Sequence, residues 1–307
     1  MKKILITGST GFVGSNLVPY LKESGFEVVG ISRKGNLPTL TYESLNSMLW
    51  DEAYAMVHLA GKAHDLKKVS SESDYFEVNT ELTKKLFDAF LKSKASVFIY
   101  MSSVKAVADK VSGTLTEEVV ANPLTVYGKS KWAAEEYLMA QRLPEGKYVY
   151  ILRPCMIHGP NNKGNLNLLY QFVNKGLPFP LGKFQNQRSF LSVGNLCFIT
   201  LQLFQQQPNS GIYNLSDDGS ISTVQLVRLM AEVTGKKARI LNIPKPLIFA
   251  IASVGGWARL PINRERIDKL TENYVVSNSK IKKVLQIELP LSLTEGLKRT
   301  IKSFSAP

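Results

Sequence analysis

Short apolar runs alternate with longer amphipathic stretches through the first half of the chain. "KKILITG" (2–8) reads as a strand buried on both faces of a sheet and closed by a glycine. "SNLVPYLKESG" (15–25) has helical apolar spacing and stops at Gly25. "FEVVGISR" (26–33) is a second strand, so the first 33 residues predict a parallel β-α-β unit. The alternation continues with a strand at "AYAMVHLAG" (53–61) and a long helix at "SESDYFEVNTELTKKLFDAFLKSK" (71–94). A strand at "SVFIYMSS" (96–103), a helix at "KSKWAAEEYLMAQRL" (129–143) and a strand at "KYVYILRP" (147–154) follow. The pattern predicts an α/β fold, a Rossmann-type doubly wound parallel sheet.

Beyond about residue 160 the texture changes. Residues 159–196 are rich in Gly, Asn and Pro, which predicts one helix among loops and a return to the sheet near "SFLSV" (189–193). The expected layout is a first domain over 1–160, rejoined at about 187–215, and a smaller mixed α/β lobe over 161–307. "PLIFAIASVGGWARLP" (246–261) is the most apolar stretch of the second half. It is too short to span a bilayer and is expected to pack within the lobe, with association at a membrane surface as the alternative. No internal repeat is visible.

Composition narrows the partners. The 307 residues suffice for a sizeable core, and the net charge is +13. The cations are spread along the chain without interleaved aromatics, so a solvated surface is favoured over nucleic-acid binding. With two cysteines, Cys155 and Cys197, no disulfide framework is available, which fits a reducing, cytoplasmic setting. The apolar run in "MKKILITG" is too short for a signal peptide, and no spanning helix is expected. Only three histidines occur, His58, His64 and His158, widely placed, so no metal site is expected. His58 is read as a core residue, His64 as a loop residue with a place at the pocket as the lesser alternative, and Cys155 as packing.

Two patterns carry chemistry. "TGSTGFVG" (7–14) sets Gly8, Gly11 and Gly14 between a strand and a helix. Glycines permit the tight turn and let phosphate oxygens approach backbone N–H groups at a helix start. "VYGKSKWAAE" (126–135) contains Tyr127 and Lys131 on one helix face. A nearby ammonium favours the phenolate, which makes the pair a general acid–base for interconverting C–OH and C=O.

At these residues the chain resembles the extended short-chain dehydrogenase/reductases, the NAD-dependent epimerase/dehydratase family of nucleotide-sugar epimerases, dehydratases and reductases. The likeness spans nearly the whole chain, with "TGSTGFVG", "HLAG" (58–61), "SS" (102–103), "YGKSK" (127–131) and "RP…HGP" (153–160) in the family's order. The resemblance implies that Ser103, with Ser102 as the neighbouring alternative, hydrogen-bonds the reacting oxygen. It implies that Tyr127 exchanges the proton and Lys131 holds the nicotinamide ribose. It places Gly8, Gly11, Phe12, Val13, Gly14, Leu59, Ala60, Gly61, Asn79 and Pro154 around the cofactor. Arg188, in "QRSFLSV" (187–193), resembles the arginine that grips a nucleotide diphosphate, and Asn165 a loop asparagine at the same group. Met156 stands where the family usually has asparagine. Relatives often form homodimers through the helices that here hold Asn79 and Tyr127.

The end of the second strand bears on the cofactor. An NAD site usually has an acid there; this chain has Ser32, Arg33 and Lys34. Arg33 and Lys34 suit a ribose 2′-phosphate, which favours NADP(H), with NAD(H) as the alternative. A net reductase draws on NADPH. The favoured expectation is therefore a 4-ketoreductase of a UDP-4-keto-6-deoxy N-acetylamino hexose for surface polysaccharide. "SSVK" (102–105) and "GLPFPLG" (176–182) resemble that subgroup. A UDP-sugar 4-epimerase with bound NAD is the alternative, and a non-catalytic NADP-binding regulator ranks below both. A dehydratase needs an acid–base pair beside the serine, where this chain has Val104 and Lys105.

Overall fold

A computed structural model describes residues 1–33, 39–63, 71–160, 162, 164–250 and 264–305 of the chain. The strands are β1 (Lys3–Thr7), β2 (Glu27–Ile31), β3 (Thr39–Leu40), β4 (Ala53–His58), β5 (Val97–Met101), β6 (Thr114–Leu115), β7 (Tyr148–Pro154), β8 (Met156–His158), β9 (Phe190–Ser192), β10 (Gly211–Leu215) and β11 (Val275–Val276). The helices used below are α1 (Phe12–Glu23), α2 (Ser47–Glu52), α3 (Glu72–Phe76), α4 (Leu82–Lys92), α5 (Val126–Ala140), α6 (Asn165–Asn174), α7 (Val193–Gln206) and α8 (Thr223–Val233).

Seven strands form one sheet in the order β10-β7-β5-β4-β1-β2-β3, each pair parallel. This is the doubly wound α/β sheet that the apolar runs predict. Thr7 stands beside Ile31 and His58, and Met101 beside Leu152, so the C-terminal ends of the central strands share one edge. The winding reverses between β1 and β4. In such sheets that reversal opens the ligand crevice.

Both faces of the sheet are buried, which is why its strands are continuously apolar. Leu17 and Leu21 of α1 pack on one face with Leu196, Ile199 and Leu203 of α7. Phe87 and Phe90 of α4 pack on the other with Leu138 of α5 and Trp50 of α2. A third apolar cluster joins Leu169 and Tyr170 of α6, Leu226 and Met230 of α8, and Leu297 and Ile301 of the last helix, Leu293–Ser305. The parallel pair β8–β9 leads from the sheet toward this cluster.

Several boundaries differ from the sequence expectation. Helix α1 starts three residues early, directly after Gly11. Helix α5 starts at Val126 rather than 129, because the Thr125 hydroxyl caps it by accepting the Gly128 N–H at 3.2 Å. The expected long helix is interrupted by a π turn, Glu77–Glu81, between α3 and α4. The sequence reading returns to the sheet near 189–193 and has no helix where α7 stands. Residues 251–263 lie outside the described residues, so most of the apolar stretch 246–261 does too. Among the described residues, no helix is long and apolar enough to cross a membrane.

Candidate active site

The loop after β1 is shaped by backbone contact. Gly8 has φ +69°, in the left-handed region. A Cβ on Gly8 would lie 2.8 Å from the Ala60 nitrogen, and one on Gly14 2.4 Å from the Gly8 carbonyl oxygen. Glycine is thus required for loop, α1 and the Leu59–Gly61 turn to meet. Gly11 caps α1 with no side chain to accept its first N–H groups. The Ser9 hydroxyl is buried without a hydrogen-bond partner, and a Cβ on Gly30 would fall 2.6 Å from it. This cradle, its open donors and the orphaned hydroxyl suit the pyrophosphate of a dinucleotide. Phe12 and Val13, half-buried, pack against the core beneath the loop. Arg33 is exposed just past β2; Lys34, like His64, lies outside the described residues.

A buried chain of hydrogen bonds backs the crevice. Thr7 Oγ1 accepts the Ala60 N–H at 3.2 Å and lies 2.6 Å from His58 Nδ1. His58 Nε2 lies 3.0 Å from Thr83 Oγ1, and Thr83 donates its proton to the Asn79 carbonyl at 2.7 Å. That last bond fixes the direction: Nε2–H donates to Thr83, and Nδ1 accepts from Thr7. His58 is therefore neutral, and burial, with the Lys131 charge, pushes its pKa down to about 3. It is a core residue with both nitrogens satisfied.

Asn79 sits in the π turn, whose extra residue redirects side chains locally. Its amide accepts the Lys62 N–H at 2.7 Å and donates to the Lys62 carbonyl at 3.0 Å and to Ser130 Oγ at 2.9 Å. A Cβ on Gly61 would lie 3.1 Å from Asn79 Oδ1 and 3.0 Å from Lys131 Nζ. Asn79, Gly61 and Lys131 thus meet in one place.

Helix α5 brings up the acid–base pair. The Asp109 carboxylate accepts the N–H groups of Leu124 and Thr125 at 2.7 and 3.1 Å, fixing the helix start. A Cβ on Gly128 would fall 2.4 Å from the Lys105 carbonyl oxygen, so only glycine lets α5 lie so close to the Ser103–Ala106 turn. Lys131 is buried, donates to the Met101 carbonyl at 2.9 Å, and stands 4.8 Å above the Tyr100 ring. Burial lowers its pKa to about 8, while Glu135 acts in the opposite sense. The Ser103 hydroxyl acts on the Tyr127 phenol and favours its ionised form. The sequence reading expects Lys131 to lower the Tyr127 pKa. In the structure burial of the phenol outweighs other influences and raises it, with the Ser103 hydroxyl opposing.

The two serines part company. Ser102 donates its hydroxyl to the wholly buried Glu135 carboxylate, whereas Ser103 faces Tyr127. Arg153 of β7 donates from Nε to both Glu135 oxygens, at 3.1 and 3.0 Å, and from Nη2 at 2.5 Å. Sequence reasoning did not single out Glu135 or Arg153. The signal was in the quoted helix stretch, where a carboxylate follows Lys131 by one more turn.

The remaining candidates lie farther along. Pro154 ends β7 in register with Leu215. Cys155 is buried, and burial pushes its thiol well up, consistent with packing. Met156, half-buried, opens β8. Arg188 donates from Nη1 to the Lys269 carbonyl at 2.5 Å and lies 3.4 Å from the Glu272 carboxylate. Glu272, Asp109, Arg188 and Lys269 all act on the half-buried Lys105 ammonium, so Arg188 lies on the Ser103 side. Asn165 begins α6; its side chain is outside the described residues. Among the described residues, no three metal-ligating side chains gather.

Comparison with known proteins identifies relatives of this chain. The NAD dependent epimerase/dehydratase family matches over residues 4–216. A UDP-glucose 4-epimerase of Vibrio cholerae is 33% identical, covering 99% of this chain and 95% of the relative. An N-acetyl-alpha-D-glucosaminyl-diphospho-ditrans,octacis-undecaprenol 4-epimerase of Escherichia coli O157:H7 is 28% identical, covering 97% and 94%. The solved UDP-N-acetylglucosamine 4-epimerase of Bacillus cereus superposes with a TM-score of 0.78 at 21% identity, covering 100% of both chains. That likeness shows the shared fold.

Proposed function

Because the chain belongs to the NAD dependent epimerase/dehydratase family, we propose that it is a 4-epimerase of a UDP-linked hexose. Family members are NAD(P)-dependent epimerases, dehydratases and reductases of sugar nucleotides. The observation that carries the choice of chemistry is that one helix, α5, sets Tyr127 under the influence of Ser103 and Lys131 beside Gly61, with Val104 and Lys105 following Ser103. Such a set moves one proton at one oxygen and has no second acid–base pair for eliminating water. The full-length likeness to a 4-epimerase supports the reading over a net reductase.

In this reading the Gly8–Gly14 loop and the start of α1 hold the pyrophosphate of the cofactor, and Lys131 and Asn79 the nicotinamide end. A bound nicotinamide supplies a hydride acceptor and, in return, a donor. Tyr127 takes the proton of the C4 hydroxyl as the C4 hydrogen leaves as hydride, and Ser103 hydrogen-bonds the same oxygen. Lys131 favours the phenolate that this transfer needs. The 4-keto sugar turns its other face, and Tyr127 returns the proton, so nothing is consumed. Arg188, where the chain rejoins the first domain, grips the diphosphate beside the second lobe. Residues 1–160 with 187–215 serve the cofactor, the rest of 161–307 the sugar nucleotide, and α4 and α5 form the contact of a homodimer.

A second reading, an NADPH-dependent 4-ketoreductase of a UDP-4-keto-6-deoxy sugar, is favoured by one observation: Arg33 is exposed past β2, with no acid there. Incubating the purified protein with UDP-glucose or UDP-N-acetylglucosamine, without added cofactor, separates the two. The epimerase reading predicts the C4 epimer. No conversion, together with NADPH oxidation on a UDP-4-keto-6-deoxy sugar, would establish the reductase instead.

A further inference from the structure

Three residues one helical turn apart on α5 grip three successive residues at the end of β5. Ser103 acts on the Tyr127 phenol, Lys131 donates to the Met101 carbonyl, and Glu135 accepts the Ser102 hydroxyl. Behind Glu135, the Arg153 guanidinium holds both carboxylate oxygens, and the two side chains are buried. Replacing such a pair by apolar groups of similar size is often neutral or stabilising. Stability alone is therefore a weak reason for its presence beneath the acid–base pair.

We propose that Glu135, backed by Arg153, is a positioning residue for the reaction: it fixes Ser102, and through the next peptide Ser103, and it sets a carboxylate one helical turn beyond Lys131. The proposal rests on the reading of Tyr127 and Lys131 as the acid–base pair. The groups facing Lys131 are Glu135 from its own helix, the Tyr100 ring from β5, neutral His58 from β4 and the neutral Asn79 amide from the π turn, with Tyr127 one helical turn before it on α5. Arg153 stands behind Glu135 from β7. Glu135 is the one carboxylate among them. Burial already drives Lys131 toward its neutral form, and Glu135 opposes this. Removing the carboxylate lets the lysine lose its proton at a lower pH.

The test is the pH profile of turnover on the full-length protein. For Glu135→Gln we expect kcat to fall about tenfold and the alkaline limb to move about one unit toward neutrality. KM for the UDP-sugar should stay within about twofold, since the group does not bind it. The double variant Glu135→Met with Arg153→Met leaves no lone buried charge, so it keeps the proposal testable if the single variant misfolds. It should show the same lowered kcat and a smaller alkaline shift in the same direction. Ser102→Ala, which keeps the ion pair, should lose roughly threefold in kcat with an unmoved profile. A folded double variant with wild-type kcat and profile would overturn the proposal and leave the pair as a strut. Tyr127→Phe and Lys131→Met separate the two levels. If either retains wild-type turnover, the acid–base reading falls and the proposal with it. If both are inactive while the double variant is normal, only the proposal falls.

Discussion

The strand-end side of the crevice and the lobe side are built by different means. On the strand side, glycines bring backbones into contact, and a closed chain of hydrogen bonds runs from Ala60 through Thr7, His58 and Thr83 to Asn79. Little there can move without breaking a buried bond. On the lobe side, Arg188 rests on a carbonyl and a carboxylate of the second lobe, with 17% of its side chain exposed, beside a second cation, Lys105. Those partners can be exchanged for a ligand. The contrast teaches that proton and hydride chemistry, intolerant of small displacements, is set on rigid elements. In the proposed reading, recognition of the sugar nucleotide is left to side chains that can be redirected.

The sharpest way to break this contrast is to disturb the rigid side. Gly14→Val should abolish retention of the dinucleotide, since a Cβ has no room beside the Gly8 carbonyl. Equilibrium dialysis with NAD and NADPH reads this directly, and binding by the variant would mean that the loop is not a cradle. Lys131→Met should lower kcat by about a hundredfold. In the unaltered protein turnover should fall as pH rises through about 8, where Lys131 loses its proton. A pH–rate profile flat to pH 9.5 would remove Lys131 from that role.

On the lobe side the effects should be gentler and confined to binding. Arg188→Met should raise KM for the UDP-sugar about tenfold with kcat nearly kept, the expected loss for a charge-assisted fork on a phosphate. A fall in kcat without a change in KM would put Arg188 among the rigid parts instead. Smallest is Arg33→Ala. It should weaken NADPH binding a few-fold, to about tenfold, and leave NADH binding unchanged. Equal effects on both cofactors would make Arg33 a solvated surface cation.

The same contrast explains what could be read from the sequence. The parallel sheet was legible because strands buried on both faces are continuously apolar, as "VFIYM" of β5 is. The loop of Gly8, Gly11 and Gly14 was legible because its backbone geometry leaves little choice of residue. Glu135 and Arg153 were not, since their meaning depends on a meeting between α5 and β7, 18 residues apart. The resemblance already put Ser103 ahead of Ser102, but what each of the two faces is visible only with α5 in place. The upward Tyr127 shift was missed because neighbouring charge can be inferred from spacing and burial cannot. The π turn under Asn79 has no sequence signature of its own; it looks like uninterrupted helix.

The central claim is that Tyr127 exchanges the proton at C4 of a nucleotide sugar held by the lobe. Its most direct test is to compare wild type and Tyr127→Phe in C4 epimerisation of UDP-glucose, with UDP affinity measured on the same preparations. The account predicts a loss of about a thousandfold in turnover with UDP affinity within about twofold of wild type. Turnover retained within tenfold by a folded Tyr127→Phe protein would contradict it.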